Sequence, residues 1–286
     1  LIASPAALPR HLEDCPMPRL PSARPAPLST RSLTALVVAL MAALTPVYAG
    51  AEGATAPTGM ASPAFLPPPP APGSAPDLAD RQIFATTRAL RDSPRWRMAT
   101  EDADLAFPAM LHDFSCAAGF TLEAKALPHV VAALAALQAV TKPAVKAQKE
   151  HYARPRPFEG NTLPVCTPSQ GLGYAYPSGH TVAGWTTGLL LGRLMPEREE
   201  ALMQRARVFG ESRVICGVHW ASDVWAGYMD GSVLFEQFEN TPEHKALLDE
   251  AGRELATAAR HATPPDAARC TLETEAAQHS VLAGAP

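Results

Sequence analysis

The 286 residues contain no long run in which apolar and polar residues alternate. That absence argues against a sheet-based core. Beyond the first fifty residues no apolar run reaches about 20 residues, the length a membrane-spanning helix needs. The most apolar stretch, Ala126 to Val140, is shorter and contains Pro128 and His129, so a buried core helix is expected there and no span. Positive charge is also in short supply, with 24 Lys and Arg against 28 Asp and Glu. A net negative chain makes nucleic acid a poor primary partner and disfavours attachment to anionic lipid. There are only five cysteines.

Proline, in contrast, is abundant at one end. Sixteen of the 30 prolines lie at or before Pro76, so residues 50–76 are read as a linker or wrapping arm. Before it, a short apolar run (Leu33, then Ala35 to Leu44) follows Arg19, Arg24 and Arg31 and precedes Val47-Tyr48-Ala49. This is the pattern of a secretory signal peptide cleaved after a small residue. Residues 1–49 are assigned to it, with Met17 as the expected start of translation and residues 1–16 as an artefact. Its removal takes four basic and two acidic residues and leaves a net charge near −6. The mature chain is expected in the periplasm or outside the cell. There the remaining Cys116, Cys166, Cys216 and Cys270 suggest two disulfides of undetermined pairing. Cys216 also reads as a buried thiol, and Cys166 as a loop residue whose bridging stiffens a pocket rim.

Residues 77–262 are long enough for one sizeable core, and 263–286 are read as a C-terminal tail. Helix-compatible apolar spacing covers Asp80 to Arg91, Trp96 to Leu111, Leu122 to Gln138, Thr181 to Leu194, Glu197 to Gly210, Asp223 to Glu239 and Thr241 to His261. The expected fold is an all-α, single-domain helical bundle.

Inside that domain lie three polar blocks: Lys149-x6-Arg156-Pro157, Pro177-Ser178-Gly179-His180, and Ser212-Arg213-x5-His219-x3-Asp223. Three cations, two histidines and one carboxylate suit a tetrahedral oxyanion, because phosphoryl transfer relies on positioning and on stabilising charge over three equatorial oxygens. Arg156 and Arg213 supply planar forks and Lys149 a point charge. Ser178 is the expected cap of the helix that follows, and with Gly179 it offers backbone N–H donors. His219 and Asp223, four apart, share a face if they open a helix. Asp223 then orients His219 as a nucleophile, and His180, with no carboxylate at a matching offset, is left as general acid. Lys149 should end a helix running from about Leu134, with Pro155 and Pro157 holding Arg154 and Arg156 extended. Taken singly, each of these residues is as well explained by a surface charge, a turn or a core contact. The ordered set of six is not. No Asp/Glu/His cluster for a divalent ion accompanies the blocks.

The three blocks resemble the signature of the type 2 phosphatidic acid phosphatase superfamily, which also includes vanadium haloperoxidases. Leu66-Pro67-Pro68-Pro69-Pro70, Ser93-Pro94-Arg95-Trp96, Glu101-Asp102-Ala103-Asp104 and the run from Ser212 to Trp220 resemble its bacterial class A nonspecific acid phosphatases. The resemblance implies hydrolysis of small phosphomonoesters through a phosphohistidine on His219. Asp223 would orient it, His180 would act as acid, and Lys149, Arg156, Ser178, Gly179 and Arg213 would bind phosphate. It implies no metal and no cofactor, and inorganic phosphate as product. Dimerisation is common in that family, and a homodimer is carried as an expectation. A vanadate-dependent haloperoxidase in the same pocket is the alternative, followed by a secreted phosphate binder without turnover. Phe158, Glu159, Tyr174 and Tyr176 neighbour the blocks and are the candidate rim residues.

Overall fold

A computed structural model describes residues 65–167, 173–261 and 263–283; the signal-like segment and most of the Pro-rich stretch lie outside them. The described residues are helical and contain no strand. In chain order the helices are α1 (Ala75–Thr87), α2 (Pro94–Glu101), α3 (Phe107–Ala118), α4 (Pro128–Tyr152), α5 (Gly179–Leu194), α6 (Glu199–Ile215), α7 (Ala221–Glu239), α8 (Pro242–Ala259) and α9 (Ala267–Gln278).

At the centre α5 packs between α6 and α7. Its glycines allow that approach: a Cβ on Gly184 would clash with the Phe209 ring, and one on Gly188 would lie 2.6 Å from Ala206 Cβ. Either substitution would push α6 away. Around this contact Leu111, Phe114, Leu134, Leu137, Leu190, Leu191, Leu202, Phe209 and Phe238 form the main core.

α4 corrects the expectation for Ala126 to Val140. Pro128 and His129 do not interrupt the helix; they start it, where a missing proline N–H costs nothing. The Glu254 carboxylate of α8 caps the new terminus, accepting from His129 N (2.9 Å) and Val130 N (3.0 Å). The helix runs 25 residues through Pro143 and by length and composition is long enough to cross a membrane. One face carries buried Val130, Ala133, Leu134, Leu137 and Val145 and packs against α8, α5 and α7. Gln148, fully buried, donates to Asp230 Oδ1 of α7 at 2.7 Å. The last turn then presents Lys149.

Trp96 to Leu111 is two helices where one was expected. The break at residues 102–106 turns Asp102 inward, fully buried, to accept from Arg205 Nη2 and Ser212 Oγ, both at 2.5 Å. Local spacing carries no sign of partners a hundred residues away. α6 runs past Gly210 to Ile215, because that glycine is packed against Tyr228 and ends nothing. Gly217, at φ 74°, follows the helix. The segment read as a tail contains α9, which packs on α6, α3 and α2. Arg269 of α9 reaches Glu101 (2.9 Å) and Asp113 (2.5 Å).

Cysteines pair as Cys116–Cys270 and Cys166–Cys216. Cys216 is therefore a bridged residue and not a buried thiol. From the proline-rich arm, Leu66 is buried, and the Leu66 and Pro67 carbonyls accept from the Tyr152 (2.5 Å) and Tyr176 (2.7 Å) hydroxyls. This end of the arm docks on the helix bundle.

Candidate active site

The polar blocks meet where the C-terminal end of α4, the N-terminal ends of α5 and α7 and the C-terminal end of α6 come together. Each position follows from local structure. Lys149 occupies the last turn of α4, and Ala153, with φ 47°, turns the chain out of it. Pro155 and Pro157 then keep the next residues extended, so Arg154 and Arg156, two apart, project to the same side. Ser178 caps α5, accepting from Thr181 N at 3.3 Å and from Thr181 Oγ1 at 2.9 Å. Arg213 stands in the last turn of α6. Trp220 is the cap residue of α7, and Asp223, in its first turn, accepts from Trp220 N at 2.8 Å.

His219 and Asp223 are joined. His219 Nδ1 donates to Asp223 Oδ2 at 3.3 Å, and Arg156 Nη1 donates to His219 Nε2 at 3.1 Å. A carboxylate can only accept here and a guanidinium can only donate, so the proton sits on Nδ1 and the lone pair on Nε2. That lone pair faces the cation cluster. His180 Nε2 donates to the Ala103 carbonyl at 3.1 Å, which leaves Nδ1 as the nitrogen free to exchange a proton. Arg156 is further anchored by the carbonyls of Gly173 (2.6 Å) and Val218 (2.7 Å), and Lys149 by that of Tyr174 (2.6 Å). Arg213 is buried, and its Nε has no hydrogen-bond partner among the described residues. A buried donor without a partner is costly, and a bound oxyanion would satisfy it.

Sequence reasoning missed three supports. Arg154 Nη1 donates to Asp223 Oδ1 (2.5 Å) and its Nη2 to Asp80 Oδ2 (2.8 Å). Asp80 in turn accepts from Ser222 N (2.9 Å) and Ser222 Oγ (2.5 Å). The third support, the Ala103 carbonyl, is main chain and leaves no mark in a sequence. Arg154 did leave one, since a residue two before Arg156 in an extended segment shares its side. Of the rim candidates, Tyr174 is exposed, Tyr176 is buried against Leu66 and Ala226, Phe158 packs by Trp96 and Ile215, and Glu159 accepts from Arg156 N (3.0 Å).

The charges act on one another. Burial, then Arg156, Lys149, Arg213 and His180, hold His219 well below its ordinary range. Burial and Arg213, against the pull of the Ala103 carbonyl, bring His180 to about 3. Burial pushes Asp223 up to about 6 despite Arg154 and the Trp220 N–H. The site thus holds two neutral imidazoles among cations, a field that favours an anion and, with it, a proton on His180. Burial beside Arg156 pulls Lys149 down to about 7. Its ammonium is present below that pH and lost above it, so kcat/KM, which reports the free enzyme, is expected to fall above about pH 7. Arginine stays charged throughout this range, so Lys149→Arg is expected to abolish this limb. An identical limb in both proteins would exclude Lys149 as its source.

Among the described residues no group of three or more His, Cys, Asp or Glu side chains is gathered to hold a metal ion. What the site can do is grip a tetrahedral dianion, present a nitrogen lone pair to it, and offer a second imidazole beside the same cations.

Known proteins are similar to this chain in sequence. The PAP2 superfamily profile matches residues 126–235, a span that contains all eight site residues named from the sequence. An acid phosphatase of Zymomonas mobilis is 38% identical over 216 residues, covering 74% of this chain and 82% of that protein. A non-specific acid phosphatase of Providencia stuartii is 35% identical over 198 residues (68% and 80%), and one of Salmonella typhimurium 35% over 196 (67% and 78%). The buried cations around a carboxylate-held imidazole thus sit in a chain that belongs to the PAP2 superfamily, among its acid phosphatases, and is a phosphatase.

Proposed function

We propose that the chain hydrolyses phosphomonoesters outside the cytoplasm through a phosphohistidine on His219. The observation that carries this reading is the orientation of His219: Asp223 holds Nδ1, and the Nε2 lone pair faces Arg156. In the first step Nε2 forms a bond to phosphorus as the phosphorus–oxygen ester bond breaks. Arg156, Arg213, Lys149 and the N–H groups that start α5 take the charge on the equatorial oxygens. His180 gives its Nδ1 proton to the departing alkoxide. In the second step the same nitrogen takes a proton from water, which displaces Nε2 and releases inorganic phosphate. Relatives named as acid phosphatases support hydrolysis over vanadate-dependent halide oxidation and over binding without turnover. The two disulfides support an oxidising compartment. We read α4 as a core helix, because its last turn carries Lys149 and its buried face meets three other helices.

Rapid quenching of a radiolabelled aryl phosphate tests the intermediate. An alkali-stable, acid-labile adduct on His219 is expected, and a label on serine would overturn the assignment. The acid is tested separately with His180→Ala. Its loss of kcat/KM, which reports formation of the phosphoenzyme and leaves out its hydrolysis, is expected to be roughly 100-fold for alkyl phosphates and under tenfold for nitrophenyl phosphate, whose phenolate leaves with little protonation. Equal losses for both would remove His180 from that role.

A further inference from the structure

Beside the cations, between α4 and α5, lies a groove of about 270 Å³. Its inner end is formed by Lys149, Gly179 and His180, and its walls by Leu105, Val145, Val182 and Ala183. Farther out, Lys142 and Lys146 line it. Lys142, Val145, Lys146 and Lys149 fall at helical spacing on one face of α4. Lys142 is therefore about 10 Å along the helix from Lys149 at 1.5 Å per residue. Gly179 keeps the inner end open, because a Cβ there would stand 3.3 Å from Val145 Cγ1 and 3.8 Å from Lys149 Cε.

This placement bears on what leaves the phosphorus. The oxygen that His180 protonates is the one attached to the alcohol, so the first carbons of the alcohol enter the groove that opens at His180. Those carbons meet walls that are largely aliphatic, with Gln138 and Thr141 as the uncharged polar side chains of the lining, and such walls reward an aryl or alkyl group. Beyond the walls the lining turns from apolar to cationic. Lys142 and Lys146 are exposed, and Lys146 is drawn toward Glu150 at 3.8 Å on the same helix, which leaves Lys142 to meet a negative group at the outer end.

We propose that this groove is the leaving-group subsite and selects aryl or alkyl phosphomonoesters carrying a carboxylate about 10 Å from the phosphorus, with Lys142 as its partner. The proposal rests on the phosphatase reading of the adjoining site. It is tested with three substrates: phenyl phosphate, its analogue with a para propanoate arm, and its analogue with a para ethylammonium arm. The wild type is expected to favour the carboxylate over the ammonium analogue by roughly tenfold in kcat/KM, the scale of an exposed ion pair added to like-charge repulsion. In Lys142→Glu, a change at an exposed position, the order should invert while phenyl phosphate is hydrolysed as before. Ala183→Phe, which fills the groove, should raise KM for all three aryl esters about tenfold, the effect of a blocked apolar pocket, and leave methyl phosphate unchanged. A charge preference that survives Lys142→Glu, or equal effects of Ala183→Phe on methyl and aryl esters, would overturn the subsite. Calorimetric affinities of the matching phosphonates read the same ratios without turnover. Loss of hydrolysis with the affinity ratio intact would therefore strike the catalytic reading and uphold the subsite.

Discussion

Replacing His219 by alanine is expected to lower kcat/KM for phenyl phosphate by roughly 10⁴-fold or more, the scale on which removal of a covalent nucleophile is felt. The expectation follows from what remains in the pocket. Arg156, Arg213 and Lys149 still gather phosphate, so the variant should bind inorganic phosphate within a few-fold of the wild type. What it lacks is the nitrogen whose lone pair is held toward Arg156, with the other side of its ring fixed by Asp223. Water has no such fixed approach, so no phosphoenzyme should accumulate after rapid quenching. His219 is buried but lies just before the cap residue of α7 and outside the aliphatic core. A thermal melt close to that of the wild type is therefore expected and separates chemistry from folding. Retained turnover in a folded His219→Ala protein would sink the phosphohistidine mechanism.

Much of this site could be read along the chain because its three blocks are each local. A helix end followed by alternating prolines, a Ser-Gly cap and a His-Asp pair one turn apart are short-range features, and local rules place them. The structure puts Lys149, Ser178, Arg213, His219 and Asp223 on the ends of α4, α5, α6 and α7 as those rules suggest. What could not be read is what depends on distant partners. Asp102 breaks the expected helix from Trp96 to Leu111 because Arg205 and Ser212 wait for it across the bundle. Gly210 is an apparent stop signal that the Tyr228 side chain of α7 fills. The pairing of four cysteines is likewise a property of the folded chain, and only the structure joins Cys166 to Cys216 across 50 residues.

The field in the pocket gives these local pieces a common purpose. In a chain with an acidic balance, burial and then Arg156 lower Lys149 and Arg213, and after burial all three cations lower both histidines. That state is unfavourable until an anion arrives, so part of the affinity for phosphate is relief of cation–cation repulsion. Burial first, and then the same cations, keep both imidazoles neutral, one ready to attack and the other to receive a proton with the substrate.

Arg154→Met is expected to cost about 3–5 kcal/mol of stability, the penalty for stripping the partner from buried charge. The Arg154 side chain is 7% exposed and lies between Asp80 and Asp223, whose side chains are 3% and 0% exposed. Methionine matches its bulk but leaves two carboxylates facing each other without a cation. The deficit should depend on pH in a defined direction. Burial already raises Asp223 to about 6 with Arg154 in place, and removing the guanidinium raises it further. A carboxyl raised on folding binds its proton more tightly in the native state, so its contribution is intact at low pH and is lost as pH rises through the folded value. The gap in melting temperature between Arg154→Met and the wild type should therefore be widest above about pH 7 and narrow toward pH 4, tracking that titration. A double variant, Arg154→Met with Asp80→Asn, removes one of the opposed charges and should recover a substantial part of the loss at neutral pH. Activity provides a second readout, because Asp223 without Arg154 no longer holds His219 in one orientation. kcat should drop roughly 100-fold, as loss of a positioning partner does, with KM for phenyl phosphate changed far less. A single variant that melts with the wild type at pH 8 would show that the Asp80–Arg154–Asp223 chain does not support the fold. One that keeps full kcat would show that it does not orient the nucleophile.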